Sequence, residues 1–177
     1  MRITKVRPLF THEMIAKRVA ELSDEISAIY KDEPLIAVCV LKGAVIFFSD
    51  LVRGIHNNNM LLGFLRMSSY GKGMDPGEIK FEWTLGTDIR DKHVLIVEDV
   101  VDTGHSMHFL LNEVRKREPR SVRLAALVDK HERRDADVHV DFAGFQLSEG
   151  FIVGYGLDHA EHYRALPDIC VVEAVED

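Results

Sequence analysis

Three stretches of the chain are apolar at nearly every position: Leu35 to Leu41, Val94 to Val97 and Val122 to Val128. Apolar runs this dense, without alternation, predict strands covered on both faces, as in a parallel sheet. Leu61 to Met67 predicts another strand, and shorter ones are expected over Ile79 to Thr84, Val138 to Phe142, Phe151 to Tyr155 and Ile169 to Val172. Between them the period changes. Across residues 11 to 31, Ile15, Val19, Leu22, Ile26 and Ile29 recur at helical spacing, with Thr11 as the N-cap. Ala44 to Ile55 predicts a second helix. Met107, Leu110, Leu111 and Val114 predict a third, running to about Arg117 with Pro119 as its stop. Strand and helix alternate, so the expected class is α/β with a mostly parallel sheet. Ligands of such sheets sit at the carboxyl ends of the strands. The strands ending at Leu41, Val97 and Val128 all deliver polar residues there.

Composition narrows the class further. The chain has 177 residues, with no repeat, low-complexity tract or polar linker, and is read as one domain over 1–177. No apolar run approaches membrane-spanning length, and Met1 to Lys5 lacks the apolar core of a signal peptide. The two cysteines, Cys39 and Cys170, lie in separate apolar runs and read as reduced core residues. A cytoplasmic enzyme is therefore expected. The net charge of −7 argues against a general nucleic-acid binder. The basic cluster of Arg115, Lys116, Arg117 and Arg120 fits the end of a helix, where cations complement the dipole.

Residues 94 to 106 read Val-Leu-Ile-Val-Glu-Asp-Val-Val-Asp-Thr-Gly-His-Ser, and no other segment narrows the function as much. The buried strand should emerge at the acidic doublet Glu98 and Asp99. The turn Asp102-Thr103-Gly104 follows, with Ser106 just beyond it. A strand, a small-residue turn and a helix start offer several backbone N–H groups to a phosphate. The same loop carries three carboxylates, so a phosphate bound there needs a cation between, and Mg²⁺ suits such hard oxygen ligands. Taken alone, the turn could also be an ordinary strand-to-helix connection capped by Asp102 or Thr103. Val-Asp-Thr-Gly resembles the aspartic-protease segment too, but the chain has no second Asp-Thr-Gly or Asp-Ser-Gly, and the flanking helix is foreign to that chemistry.

Apolar residues leading into two acids and then Asp-Thr-Gly resemble the phosphoribosyl-diphosphate signature of type I phosphoribosyltransferases. Leu41-Lys42-Gly43, the segment Leu-Val-Asp-Lys-His-Glu-Arg-Arg around Lys130, and Gly150 to Asp158 resemble the hypoxanthine-guanine branch of that family, in the correct order. The resemblance implies a phosphoribosyltransferase core with a small hood drawn largely from about 143–177. It implies purine salvage: phosphoribosyl transfer from 5-phosphoribosyl 1-diphosphate to hypoxanthine or guanine, giving IMP or GMP and diphosphate, with Mg²⁺ as cofactor. A homodimer or homotetramer is expected from the family.

The same resemblance assigns roles. Glu98 and Asp99 would hold the ribose hydroxyls and the metal's water shell, and Asp158 a second Mg²⁺. The segment Asp102, Thr103, Gly104, His105 and Ser106 would bind the 5′-phosphate. Asp102 would be the catalytic group, accepting the proton of purine N7. Lys42 and Gly43, in a Leu-Lys-Gly peptide able to adopt a cis form, would bind diphosphate together with Arg164. Lys130, Phe151, Ile152 and Asp158 would form the purine site. Ser69 and Tyr70 would belong to a lid over residues 68–77. Two positions depart from the family's habit: Ala44, where many relatives carry Gly or Ser, and His131, where bacterial relatives often have Pro.

Three other readings fit the sequence less well. The chain's nine histidines include His159-Ala160-Glu161-His162, whose spacing matches no zinc signature, and none is read as a ligand. A non-catalytic, RNA-binding regulator on the same fold would need a basic face, which the acidic balance opposes. A xanthine-preferring relative would more often carry Arg-Gly-Gly where Leu41-Lys42-Gly43 stands.

Overall fold

A computed structural model describes residues 2–70, 78–83, 86 and 88–176. The central sheet is built from β2 (Leu35–Leu41), β3 (Met60–Tyr70), β4 (Glu78–Trp83), β5 (His93–Val101), β6 (Ser121–Lys130) and β7 (Phe142–Leu147). Its six strands run in the order β4-β3-β2-β5-β6-β7. All neighbours are parallel except β3 and β4, which pair antiparallel. The dense apolar runs lie at its centre, as their lack of alternation requires. On β2 and β5, Ala37, Cys39, Leu95 and Val97 face α1 (His12–Tyr30) and α2 (Val45–Gly54). Ile36, Val38, Val40, Val94 and Ile96 face α3 (His105–Arg115) on the other side. Thr11 caps α1, its hydroxyl accepting the Met14 N–H at 3.5 Å. Among the described residues, no helix is long and apolar enough to cross a membrane.

A smaller sheet completes the fold, in the order β1-β9-β8, formed by β1 (Arg2–Phe10), β8 (Ile152–Val153) and β9 (Ile169–Glu176). This corrects the expected boundaries of the hood. Residues 143–147 belong to β7 at the edge of the main sheet, and the N-terminal strand β1 joins the C-terminal segment instead. The strand expected over Val138 to Phe142 begins only at Phe142. Before it, Asp141 turns back on β6: its N–H donates to the Leu124 carbonyl and its carboxylate accepts the Leu124 N–H. Val138 and Val140 pack instead on the core beneath α3. The two sheets meet where Phe10 of β1 stacks on Phe145 of β7, ring centroids 4.0 Å apart. A second tie runs from the Tyr155 hydroxyl, which donates to Asp50 of α2 at 2.7 Å.

Candidate active site

The carboxyl ends of β2 and β5 open onto one cleft, and that of β6 onto a recess beside it. β5 stays buried through Val97, then presents Glu98, which is only 8% exposed, and Asp99. Burial and the neighbouring Asp99 charge hold the Glu98 carboxyl well above the usual carboxylate range. Gly104 is the N-cap of α3 at φ +89°, a backbone conformation that costs a side-chain-bearing residue strain. It turns the chain so that the first N–H groups of the helix, which have no intrahelical acceptor, point out of its end. With Thr103 and Ser106 they line a cleft of about 390 Å³, together with Lys42, Gly43, Glu98, Asp99, Asp102, Asp158 and Arg164. The His105 side chain turns away to pair with Asp135 at 2.9 Å.

The loop after β2 carries a cis peptide between Leu41 and Lys42. The loop is closely packed on both sides. A Cβ on Gly43 would overlap the Asp99 carboxylate, and a Cβ on Gly156 would overlap the Gly43 carbonyl oxygen. Lys42 and Arg164 converge on the same mouth. Lys42 pairs with Glu161 at 2.9 Å, while Arg164 Nη2 lies 2.9 Å from Asp158 and 3.4 Å from Glu161. Arg164 Nη1 donates to the Gly156 carbonyl, and its Nε is buried with no hydrogen-bond partner among the described residues.

A second recess of about 200 Å³ adjoins this cleft, lined by Lys130, Phe151, Ile152 and Leu157 and sharing Asp99, Val100, Asp102 and Asp158 with it. Lys130 Nζ donates to the Gly150 carbonyl at 2.6 Å, which holds the ammonium at the recess wall. Phe151 is 48% exposed, a large apolar face left open, and meets His159 edge-on. Asp102 stands at the junction. Its Oδ1 is buried without a hydrogen-bond partner among the described residues, and Oδ2 lies 3.7 Å from Arg133.

Two residues to which the sequence analysis gave no role organise these walls. Arg134 donates from Nε to the Asp102 carbonyl and from Nη2 to the carbonyls of Val101 and Lys130, tying the turn after β5 to the end of β6. Its guanidinium also meets Asp129, which is 4% exposed. An aspartate at the end of a buried strand needs a cation, and that was the available signal. Glu161 is the other. The lid residues are placed only in part: Ser69 and Tyr70 continue β3, paired with Ile79 and Glu78, so the expected loop over 68–77 begins later. Residues 71–77 lie outside the described residues. The described residues hold no group of three or more His, Cys, Asp or Glu side chains gathered to bind a metal. Glu98, Asp99 and Asp158 line one cleft without forming a cage.

The phosphoribosyl transferase domain model matches residues 6–160, and the chain belongs to the phosphoribosyltransferase family. Its relatives are more specific. It is 41% identical over 175 residues to the hypoxanthine-guanine phosphoribosyltransferase of Aquifex aeolicus, covering 98% of both chains. It is 44% identical over 163 residues to the enzyme of the same name from Dictyostelium discoideum, covering 90% of this chain and 91% of that one. The crystal structure of a hypoxanthine phosphoribosyltransferase from Staphylococcus aureus superposes with a TM-score of 0.89 at 35% identity, covering 94% of this chain and 91% of that one.

Proposed function

We propose that this protein is a hypoxanthine-guanine phosphoribosyltransferase of purine salvage, acting in the cytoplasm as a homo-oligomer. It moves the phosphoribosyl group of 5-phosphoribosyl 1-diphosphate to N9 of a 6-oxopurine and releases diphosphate. The observation that carries the reading is the place of Asp102, between the cleft at the N-terminus of α3 and a recess with a lysine at its wall.

The turn 102–106 binds the 5′-phosphate through backbone N–H groups and the hydroxyls of Thr103 and Ser106. Lys42, the Gly43 backbone and Arg164 take the diphosphate. Phe151 stacks on the purine, the Ile152 backbone meets its 2-position, and Lys130 donates to O6. Asp102 accepts the proton of N7 as the base becomes a nucleotide. Mg²⁺ would supply Lewis-acid neutralisation of the leaving diphosphate. The donor set fits that ion. Magnesium sites for phosphate substrates use one or two carboxylates with phosphate oxygens and water, not an all-protein cage, and Glu98, Asp99 and Asp158 line the cleft accordingly. Ser69 and Tyr70 are assigned to the lid that closes over the sugar and excludes water.

The test is diphosphate release from phosphoribosyl diphosphate with hypoxanthine, guanine or xanthine in turn. Turnover is expected with hypoxanthine and guanine, lost in EDTA and restored by excess Mg²⁺. No turnover with any 6-oxopurine, or full turnover in chelator, would overturn the assignment.

Gly43→Ala is expected to lower kcat/KM for phosphoribosyl diphosphate by about ten- to a hundredfold, since the methyl group must displace the Asp99 carboxylate and small misplacements at a reacting centre carry losses of that size. Unchanged steady-state kinetics in a folded variant would show that the close approach has no bearing on the reaction.

A further inference from the structure

Resting on the reaction assigned above, we propose that Glu161 is a competing anion that sets the affinity of the diphosphate subsite. The two cations assigned to diphosphate both face one carboxylate of this chain. Glu161 Oε2 lies 2.9 Å from Lys42 Nζ, and Oε1 lies 3.4 Å from Arg164 Nη2. A carboxylate spanning an ammonium and a guanidinium has the charge and reach of two diphosphate oxygens held by the same pair. The Arg164 Nε, buried and without a partner among the described residues, is a donor that Glu161 leaves unused and a larger anion can take.

The backbone brings Glu161 to this position at a cost. Ala160 and Glu161 have φ of +50° and +67°, in the left-handed region that non-glycine residues rarely occupy. Such conformations persist where surrounding contacts impose them, and here the Glu161 N–H donates to Asp158 Oδ2 at 2.8 Å while Asp158 Oδ1 faces Arg164 at 2.9 Å. The Glu161 side chain is 63% exposed and its partner Lys42 60%, while Arg164 is 22% exposed. Exposed pairs are individually weak, so an incoming diphosphate displaces the carboxylate readily, whereas an anion of lower charge gains less from the exchange. Once displaced, Glu161 remains beside the bound diphosphate as a like charge and favours its release. The subsite therefore selects for the multiply charged leaving group while holding it loosely. The 5′-phosphate, bound at the 102–106 turn, lies outside this competition.

Glu161→Gln keeps the length of the side chain and removes its charge. Calorimetric titration of Mg²⁺–diphosphate and of IMP into the wild-type protein and the variant separates the two phosphate sites. Diphosphate is expected to bind about two- to tenfold more tightly to the variant, the range set by losing one or two exposed ion pairs. IMP affinity is expected to stay within about twofold, and the KM for phosphoribosyl diphosphate to fall alongside. Diphosphate binding that is unchanged or weaker in the variant overturns the proposal, because Glu161 would then be a bystander or a support for Lys42. Equal tightening of IMP also overturns it, as a general field effect. If neither ligand binds the wild-type protein, the assigned reaction itself fails, and this inference with it.

Discussion

Adenine is expected to be used about 10⁴–10⁵-fold less efficiently than hypoxanthine, the penalty seen where a site built around a required hydrogen bond meets an analogue that lacks it. Lys130 is the cause. Its ammonium has three donors and no acceptor. One donor is already given to the Gly150 carbonyl, which fixes where the others point. A purine O6 accepts from them, but the amino group of adenine brings a donor against a donor. The remaining donors of Lys130 are then left unsatisfied in a recess that the base itself has closed to water, and unsatisfied polar groups under those conditions are costly. Stacking on Phe151 cannot offset this, since every purine offers the same face. The measurement is kcat/KM for hypoxanthine, guanine and adenine at saturating phosphoribosyl diphosphate. Adenine within about tenfold of hypoxanthine would mean that Lys130 does not read the 6-position.

Asp102→Asn should lower kcat by about 10²–10⁴-fold, the usual contribution of a positioned base, with little change in the KM for phosphoribosyl diphosphate. The structure explains why the two effects separate. The turn is held through the Asp102 carbonyl, which accepts from Arg134 and is untouched by the substitution. The carboxylate oxygen Oδ1, by contrast, is buried without a partner among the described residues. Asparagine fills the same space but has no proton affinity to offer N7. A kcat within about twofold of wild type would remove Asp102 from the chemistry, and a parallel rise in KM would assign it to sugar-phosphate binding instead.

How much of this was legible in the chain depended on how local the cause was. Strands β2, β5 and β6 could be read because both their faces are buried, so that nearly every position is apolar. The turn from β5 into α3 could be read because its glycine, hydroxyls and acids are neighbours in sequence. β1 could not. Arg2 to Phe10 mixes charged and apolar residues, and its strand character comes from pairing with β9 at the far end of the chain. β7 was displaced for a similar reason: Val138 and Val140 have strand composition, but the bonds from Asp141 to Leu124 decide where pairing starts. At the site, the resemblance supplied Lys42, Gly43, Lys130 and Arg164 as positions. It did not disclose why position 43 must lack a side chain, since the clash is with Asp99 on another strand. Arg134 and Glu161 were given no role because each acts on partners from separate segments, which neighbours in sequence do not disclose.

The backbone contact between Gly156 and Gly43 has a thermodynamic consequence. At this point the segment following Phe151, the residue proposed to stack on the base, rests directly on the loop assigned to diphosphate, with no side chain between them to absorb a displacement. Arg164 locks the same segment by donating to the Gly156 carbonyl, while its own carbonyl accepts the Gly156 N–H. A shift of either wall is thus transmitted to the other. Two ligands that each select a position of a shared wall are coupled, and the coupling free energy is the same whichever binds first. A base and a phosphoribosyl donor that each favour one position of this shared wall would therefore raise or lower each other's affinity by the same factor.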